Sequence, residues 1–221
     1  MSLHSMDEEV VSPWPAFADL LAATTLLFLI LFAALAVPAL QRAGEADAQE
    51  STLAQLKTVL STVAPGRGVT VQRVGDYVLV RIPGEATFAY DRFQLKDLRP
   101  GGKNILRDFG EFLRQDSILR MIDQVQVVGH TSREGGDEHN WVLSASRAAT
   151  VSLFLIDSAR VPACRVSALG RSRYYPVDTA AAHRTAAVDP ADRRIELEIR
   201  PALPRDSVQR LRREACVEHR Q

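Results

Sequence analysis

The feature that most constrains this chain is an apolar run of 22 residues, from Ala16 to Val37, which carries a single charged side chain, Asp19. A helix rises about 1.5 Å per residue, so this run would extend about 33 Å, and the apolar core of a bilayer is about 30 Å thick. The sequence therefore predicts one membrane-spanning helix near the N-terminus, followed by a longer water-soluble part.

A cleaved signal peptide is the competing interpretation of this run, because Ala34-Leu35-Ala36 resembles a cleavage site. The segment that precedes the apolar region of a signal peptide is normally basic, whereas residues 1–15 contain three acidic residues and neither lysine nor arginine. We therefore favour an uncleaved anchor. The acidic segment also gives no positive-inside support for a cytoplasmic N-terminus, so the orientation needs another argument.

Asp19 is the candidate functional residue of the membrane segment. A carboxylate in a membrane-spanning helix costs roughly 2.5–3.5 kcal/mol at mid-bilayer, so it is rare unless it faces a partner or a water path. Ala16, Ala22 and Ala23 lie at helix-neighbour spacing and would let other helices approach closely. These features indicate an ion-translocating site. The alternative is that Asp19 lies at the interface and caps the start of the helix.

The rest of the composition gives few clues to chemistry. Basic and acidic residues number 27 each, so we expect no direct nucleic-acid binding. Cys164 and Cys216 lack the spacing of a metal site, and they either pair or remain free thiols. His130 and His139 flank a loop with no third ligand at fixed spacing, so no metal is expected. No catalytic triad is recognisable, and we expect the protein not to be an enzyme.

The boundaries predicted from composition are a tail at residues 1–15, the transmembrane helix at 16–37, a linker at 38–65, a folded domain at 66–202 and a C-terminal tail at 203–221. Within the linker, apolar residues recur at helical spacing, namely Leu53, Leu56, Leu60 and Val63. We interpret this stripe as part of a stalk or, alternatively, as a plug that lies along the membrane or pairs with the stripe of a second copy.

The domain alternates between the strand and the helix period. Gly75-Asp76 marks a hairpin turn between two β-branched segments. Helical spacing is found at residues 105–113 and 141–157, short apolar strands are expected at 124–129, 165–169 and 194–199, and residues 91–98 are predicted to form a loop. This order predicts the fold class as an α/β sandwich with a mixed sheet.

Three ordered motifs in this domain resemble a known family. They are Gly129-His130-Thr131-Ser132, the run from Asn140 to Ala148, and Asp192-Arg193-Arg194-Ile195-Glu196, with Gly170 between the last two. They look like the successive signatures of the OmpA-like peptidoglycan-binding domain. The Asn-Trp-x-Leu-Ser-x-x-Arg-Ala form is similar to the MotB branch, and Phe17-Ala18-Asp19-Leu20 resembles the start of the membrane span in MotB-type stator subunits.

The resemblance implies the B subunit of a rotary stator, present as a homodimer inside a pentamer of a MotA/ZorA-type membrane subunit, a 5:2 assembly. It implies an inner-membrane protein with a cytoplasmic N-terminus and a periplasmic domain that binds peptidoglycan. The translocated ion is H⁺ or Na⁺, and no other cofactor is implied. The acidic tail and compact linker look closer to ZorB of the Zorya anti-phage systems than to flagellar MotB. A flagellar stator subunit and a passive OmpA-like anchor are the alternatives.

The resemblance also assigns peptidoglycan-binding roles to Thr131, Ser132, Asn140, Arg147 and Arg193. Stem peptides of peptidoglycan end in carboxylates and carry an amino-acid zwitterion, so a binder needs an arginine fork and an acceptor for the ammonium group. Arg147 can supply the fork, although a structural ion pair is its other possible role. Ser132 stands where the family has an aspartate for the ammonium group. Glu134, Asp137 and Glu138 in the same loop are candidate substitutes.

Overall fold

A computed structural model describes residues 14–63, 65–177 and 189–202. The predicted tail at 203–221 lies outside these ranges, as does the predicted tail at 1–15 apart from its last two residues. The chain divides into two compact units, Met1–Asp47 and Ala48–Gln221. Helix α1 (Trp14–Leu60) contributes residues to both units.

The first unit contains the part of α1 that corresponds to the apolar run. Many of its large side chains are exposed, among them Leu20, Leu27, Phe28 and Phe32. Among the residues that the structure describes, α1 is the one helix long and apolar enough to cross a membrane. The hydroxyls of Thr24 and Thr25 donate to the backbone oxygen of Leu21 at 3.0 and 2.7 Å, so their polar groups are satisfied within the helix.

The second unit begins inside α1 and includes the leucine stripe of the predicted linker. Leu53, Leu56 and Leu60 are 1%, 0% and 0% exposed, and they belong to the hydrophobic core of the α/β domain, against which Val63 also packs. The interpretation of this stripe as a stalk or plug is therefore corrected. Burial stabilises the fold by roughly 1.5–3 kcal/mol per leucine, and the stripe obtains this within its own domain.

One mixed sheet of five strands forms the centre of the domain. In chain order the strands are β1 (Thr70–Val74), β2 (Tyr77–Pro83), β3 (Ile122–His130), β4 (Val166–Gly170) and β5 (Arg194–Pro201). Their spatial order is β1-β2-β5-β3-β4, in which β3 and β4 pair in parallel and all other neighbours are antiparallel. This confirms the predicted fold class.

The helices of the domain are α2 (Gly84–Thr87), α3 (Pro100–Leu113), α4 (Asp116–Met121) and α5 (Asp137–Leu153). The last of these begins at residue 137 rather than at 141 and continues into a π-helical turn, Phe154–Ser158. The predicted loop at 91–98 contains one short 3-10 turn, Leu95–Asp97. Gly75 and Asp76 form the predicted hairpin turn, where Gly75 has a φ of 56° that glycine adopts without strain.

Side chains alternate between the two faces of the sheet along each strand. On β5, Ile195, Leu197 and Ile199 enter the hydrophobic core. Glu196 and Glu198 lie on the other face, yet both are buried. Each glutamate forms ion pairs with two arginines: Arg81 and Arg194 at Glu196, and Arg171 and Arg200 at Glu198. The polar face thus buries its two carboxylates under arginine side chains, of which Arg194 is buried and the other three are partly exposed.

Helix α5 approaches β3 and β4 very closely where these strands end. Gly129 and Gly170 are register partners in the two strands. A Cβ on Gly129 would lie 2.1 Å from the backbone oxygen of Ser144, and one on Gly170 would lie 2.7 Å from its Oγ. Neither position has room for a side chain, so the two glycines fix the first half of α5 beside the loop that follows β3.

Cys164 is disulfide-bonded, which removes the free thiol from the two alternatives that the sequence left for this residue. Cys216 is the one other cysteine in the sequence, and it lies outside the described residues. A disulfide is typical of oxidising compartments such as the bacterial periplasm.

Candidate functional site

The five residues predicted to bind peptidoglycan line one cleft of the domain: Thr131, Ser132, Asn140, Arg147 and Arg193. The loop after β3 supplies the first two, α5 supplies the next two, and the last immediately precedes β5. Spacings of three and four residues place Asn140, Leu143 and Arg147 on one face of α5. The segment between α2 and α3 completes the cleft with Tyr90 and Asp91.

Arg147 is almost fully buried in this cleft, at 5% exposure. Its Nε donates to the backbone oxygen of Arg92 at 2.8 Å, and its Nη2 donates to that of Ala89 at 3.3 Å. The guanidinium lies 5.5 Å from the ring centroid of Phe88. Burial lowers the pKa of Arg147 to about 10, although the negative charge of Asp91 acts to raise it. The side chain therefore stays positive at neutral pH.

These contacts give Arg147 two roles. First, it fixes the segment between α2 and α3 by donating to backbone oxygens. Second, its charge is available to a ligand, because no described carboxylate lies within ion-pair distance of it. The structural ion pair that the sequence left open is therefore not formed with any described residue. A buried arginine without a carboxylate partner presents its charge to the cleft, where a ligand carboxylate would compensate it.

Glu134 is the acidic residue that the loop after β3 brings into the cleft. The Oγ of Ser132 donates to Oε2 of Glu134 at 3.3 Å, and Nη1 of Arg193 donates to the same oxygen at 3.2 Å. The Nδ2 of Asn140 donates to the backbone oxygen of Glu134 at 2.8 Å. Ser132 is thus in hydrogen-bond contact with a carboxylate two residues further along the chain.

The other two candidate substitutes do not line the cleft. Asp137 pairs with Arg173, with 2.8 Å between Oδ1 and Nη2. Glu138 is exposed on the first turn of α5. Of the three candidate substitutes, Glu134 is the one that lines the cleft.

Thr131 contributes a polar atom that has no partner. Its backbone N–H donates to the oxygen of Ser172 at 3.0 Å, which fixes the loop. Its Oγ1 is buried and accepts or donates no hydrogen bond among the described residues. A buried hydroxyl without a partner costs about 1–3 kcal/mol, and a ligand group in the cleft would recover this.

Two residues of the cleft carry no signal in the sequence that points to it. Tyr90 and Asp91 lie in or beside the predicted loop, far from the recognised motifs in sequence, and no local pattern indicated their role. The sequence favours a strand-end or surface role over a metal ligand for His139. In the structure its Nε2 lies 2.7 Å from Oδ1 of Asp91, and both side chains are about half exposed. With Arg147 and Arg193, the cleft carries both signs of charge, which suits a zwitterionic ligand.

His130 connects the cleft to the buried charges of the sheet. It is 1% exposed, and its Nε2 lies 3.0 Å from Oε2 of Glu196. Burial lowers the pKa of His130, which the hydrogen bond to Glu196 opposes only in part. Burial also raises the pKa of Glu196, but hydrogen bonding with His130 and the charge of Arg194 outweigh it, and the net shift is downward. We therefore assign a neutral imidazole beside an ionised carboxylate.

No group of three or more histidine, cysteine, aspartate or glutamate side chains suited to a metal ion occurs within residues 14–63, 65–177 and 189–202. The groups that line the described cleft suit the recognition of a charged ligand. It combines a buried arginine, two carboxylates, an unpartnered hydroxyl and an amide within one concave surface.

Comparison with known proteins agrees with this geometry. Residues 87–192 match the model of the OmpA family, and this range contains the cleft except for Arg193. This part of the chain is an OmpA-like domain. The probable lipoprotein YiaD of Escherichia coli K12 is 32% identical over 136 residues, which are 62% of this chain and 57% of the lipoprotein. The chain thus matches little more than half the length of that relative.

Two solved structures share the fold. A MotB-like protein from Desulfovibrio vulgaris is 21% identical with a TM-score of 0.55, and the match covers 74% of this chain and 96% of that one. The periplasmic domain of Helicobacter pylori MotB is 14% identical with a TM-score of 0.51, covering 71% and 93% of the two chains. At these identities the likeness concerns the fold alone.

Proposed function

We propose that this protein is the B-type subunit of an ion-driven stator that is anchored to peptidoglycan by its OmpA-like domain. The observation that carries the proposal is Asp19, the one charged residue of a membrane-length apolar run that precedes an OmpA-like domain. A passive anchor needs an apolar span but no carboxylate in it, and a carboxylate there is costly. The small residues around Asp19 favour close packing with other membrane helices.

In the proposed mechanism, Asp19 takes up H⁺ or Na⁺ from the periplasmic side and releases it to the cytoplasmic side. Two copies of the chain lie inside a ring of five MotA/ZorA-type subunits, with their N-termini in the cytoplasm. Each loading and unloading changes the charge that the ring must accommodate, and relative rotation follows. The OmpA-like domain holds the two copies still against the wall, so torque is delivered by the ring.

The cleft is the proposed wall-binding site. Arg147 binds a stem-peptide carboxylate, and the unpartnered hydroxyl of Thr131 provides a further hydrogen bond. Glu134 accepts the ammonium group in place of the family aspartate, since it lies in the cleft within 3.3 Å of Ser132. Arg193 holds the Glu134 carboxylate in position.

An anti-phage motor of the ZorB type is the physiological setting that we favour. Residues 1–15 are acidic, and only residues 38–47 separate the apolar run from the unit that contains the α/β domain. Both features differ from the basic tail and longer linker usual in flagellar MotB proteins. A flagellar stator subunit remains the second candidate, since both solved relatives named above are MotB or MotB-like.

The stator proposal is tested by replacing Asp19 with asparagine, which has nearly the same volume but cannot exchange a cation. Asp19→Asn should abolish phage protection, or motility in a flagellar setting, while membrane insertion and co-purification of a pentameric partner stay unchanged. Asp47→Asn, on the same helix but outside the apolar run, is the matched control and should retain activity. Full activity of Asp19→Asn would return this residue to a helix-capping role.

The wall site is tested by sedimenting the full-length protein with purified sacculi. Arg147→Lys keeps the charge but removes the fork, and Glu134→Gln keeps the shape but removes the charge; each should weaken binding about 10- to 100-fold, the value of a charge-assisted hydrogen bond. Ser132→Asp should strengthen binding by adding a second carboxylate. If the unaltered protein does not bind and Ser132→Asp does, another surface holds the motor still.

A further inference from the structure

A pair of exposed aromatic rings lies beside the cleft without lining it. Trp141 on α5 and Tyr174 in the segment after β4 are 46% and 54% exposed, with ring centroids 6.0 Å apart and planes inclined by 34°. Tryptophan and tyrosine combine a large apolar face with a polar edge, and they are enriched where one side of a contact is apolar and the other is wet. We call these two rings the aromatic platform.

The platform is held rigidly by the backbone of the domain. Ser172 has a φ of 50°, and its N–H donates to Oγ of Ser144 on α5 at 3.1 Å. Its carbonyl oxygen accepts from the N–H of Thr131 at 3.0 Å. Gly170 abuts Ser144 with no space for a Cβ. The segment that carries Tyr174 is therefore fixed to both α5 and the loop after β3.

Arg173 connects the platform to the same loop that lines the cleft. Its guanidinium lies 5.9 Å from the ring centroid of Tyr174, its Nη2 pairs with Asp137 at 2.8 Å, and its Nη1 donates to the backbone oxygen of Arg133 at 3.4 Å. Arg133 stands between Ser132 and Glu134, which line the cleft. A ligand that fills the cleft can therefore continue onto the platform across one short loop.

We infer that the aromatic platform binds a pyranose ring of the peptidoglycan glycan strand, adjacent to the stem peptide in the cleft. This rests on the proposed wall-binding function. A pyranose ring has a face of C–H bonds that stacks on an indole or phenol ring, and a rim of hydroxyl and N-acetyl groups that the charged side chains of Arg173 and Asp137 can hydrogen-bond. The stem peptide is covalently attached to such a ring, so the two surfaces would bind one continuous ligand.

The size of the platform favours a sugar over a second protein. Each ring presents roughly half of the 150–250 Å² of an aromatic side chain, or about 200 Å² together, whereas a stable protein interface buries about 800 Å² on each partner. A small apolar patch with a charged rim is typical of a ligand surface. A contact between two copies of the chain is the alternative that the experiment must separate.

The test uses the full-length chain in detergent micelles with two separate ligands: glycan strands from which an amidase has removed the peptides, and stem peptide without sugar. Trp141→Ala and Tyr174→Ala should each weaken binding to glycan strands about tenfold, the value of one aromatic contact, and leave binding to stem peptide within about twofold. Arg147→Lys should do the reverse. Val142→Ala, an exposed neighbour on α5, is the matched control and should change neither.

Glycan binding that is absent, or equal in Trp141→Ala, Tyr174→Ala and the unaltered chain, would overturn the inference. A change in oligomeric state of Trp141→Ala without a change in glycan binding would overturn it in favour of a contact between copies. If the unaltered chain binds glycan strands but not stem peptide, the proposed peptide site is wrong while the platform stands. Trp141→Phe should keep most glycan binding, and the far-UV circular dichroism of Trp141→Ala, unchanged from that of the unaltered chain, shows that its loss of binding is not unfolding.

Discussion

The two ends of helix α1 are both rich in leucine, yet they place it in opposite surroundings. In the first unit the leucines are exposed, for example Leu27 and Leu40, whereas in the second unit Leu53, Leu56 and Leu60 are buried in the core of the domain. The difference lies in the pattern. An apolar run on all sides of a helix needs an apolar environment around it, while a stripe at three- and four-residue spacing needs one surface.

The contrast shows that an apolar stripe on a helix predicts that one face is buried, but does not predict which surface covers that face. The sequence of α1 allowed a stalk or plug whose stripe meets a second copy, and the structure instead packs the stripe within the same domain. The folded domain thus starts inside the predicted linker, at Ala48. Two differences between the units, and one property of the second unit alone, can be tested by substitution.

The largest expected effect is on stability. Leu56→Ala should lower the free energy of unfolding of the domain by about 2–5 kcal/mol, because it removes a fully buried side chain and leaves a cavity. Leu40→Ala, an exposed leucine on the same helix, should change it by less than about 0.5 kcal/mol. The measurement is chemical denaturation of the full chain in micelles, followed by Trp141 fluorescence in a Trp14→Phe background. Equal small effects would contradict burial of the stripe and revive the paired stalk.

A smaller loss of stability is expected when a closely packed glycine of the second unit is replaced by alanine. Gly129→Ala should destabilise the domain by roughly 1–3 kcal/mol, because its Cβ would lie 2.1 Å from the backbone oxygen of Ser144 and force α5 away from β3. Since α5 carries Asn140 and Arg147, sacculus binding should weaken as well. Gly44→Ala is the control in the first unit, where a Cβ meets nothing within 4 Å; it should favour the helix by about 0.5–1 kcal/mol. Unchanged stability of Gly129→Ala would show that α5 can shift without cost.

How far the sequence predicts this molecule depends on whether the information is local. The hairpin at Gly75 and the strand and helix periods are local patterns, and the structure confirms the mixed α/β fold. The five cleft residues came from motifs, and the structure brings them together. Tyr90 and Asp91 could not be predicted, because their position in the cleft depends on a tertiary contact. This contact consists of the hydrogen bonds from Arg147 to the segment around them.

The polar face of the sheet is a second limit. Alternation along β5 indicates that Glu196 and Glu198 face away from the core, and such residues are normally solvated. Two of the arginines that pair with them, Arg194 and Arg200, alternate with them on β5 itself. The other two, Arg81 on β2 and Arg171 after β4, are brought there by tertiary structure, which no pattern within β5 reveals. The sequence therefore predicts which face is polar but not that both carboxylates on it are buried.

The smallest expected effect comes from His130, which pairs with Glu196, and it is a change of the free energy of unfolding with pH. His130 has a pKa below its usual value of about 6.5, so between that value and the lower pKa of the folded state the unfolded chain binds more protons. The free energy of unfolding should therefore be at its plateau above about pH 6.5 and fall as the pH decreases below it, by at most about 1.4 kcal/mol per pH unit for one proton.

His130→Gln keeps a hydrogen-bond donor for Glu196 but does not titrate, so it should flatten the curve between about pH 5 and 7. Denaturation curves at several pH values measure this slope, and the same slope in His130→Gln and the unaltered protein would show that His130 is not the group responsible.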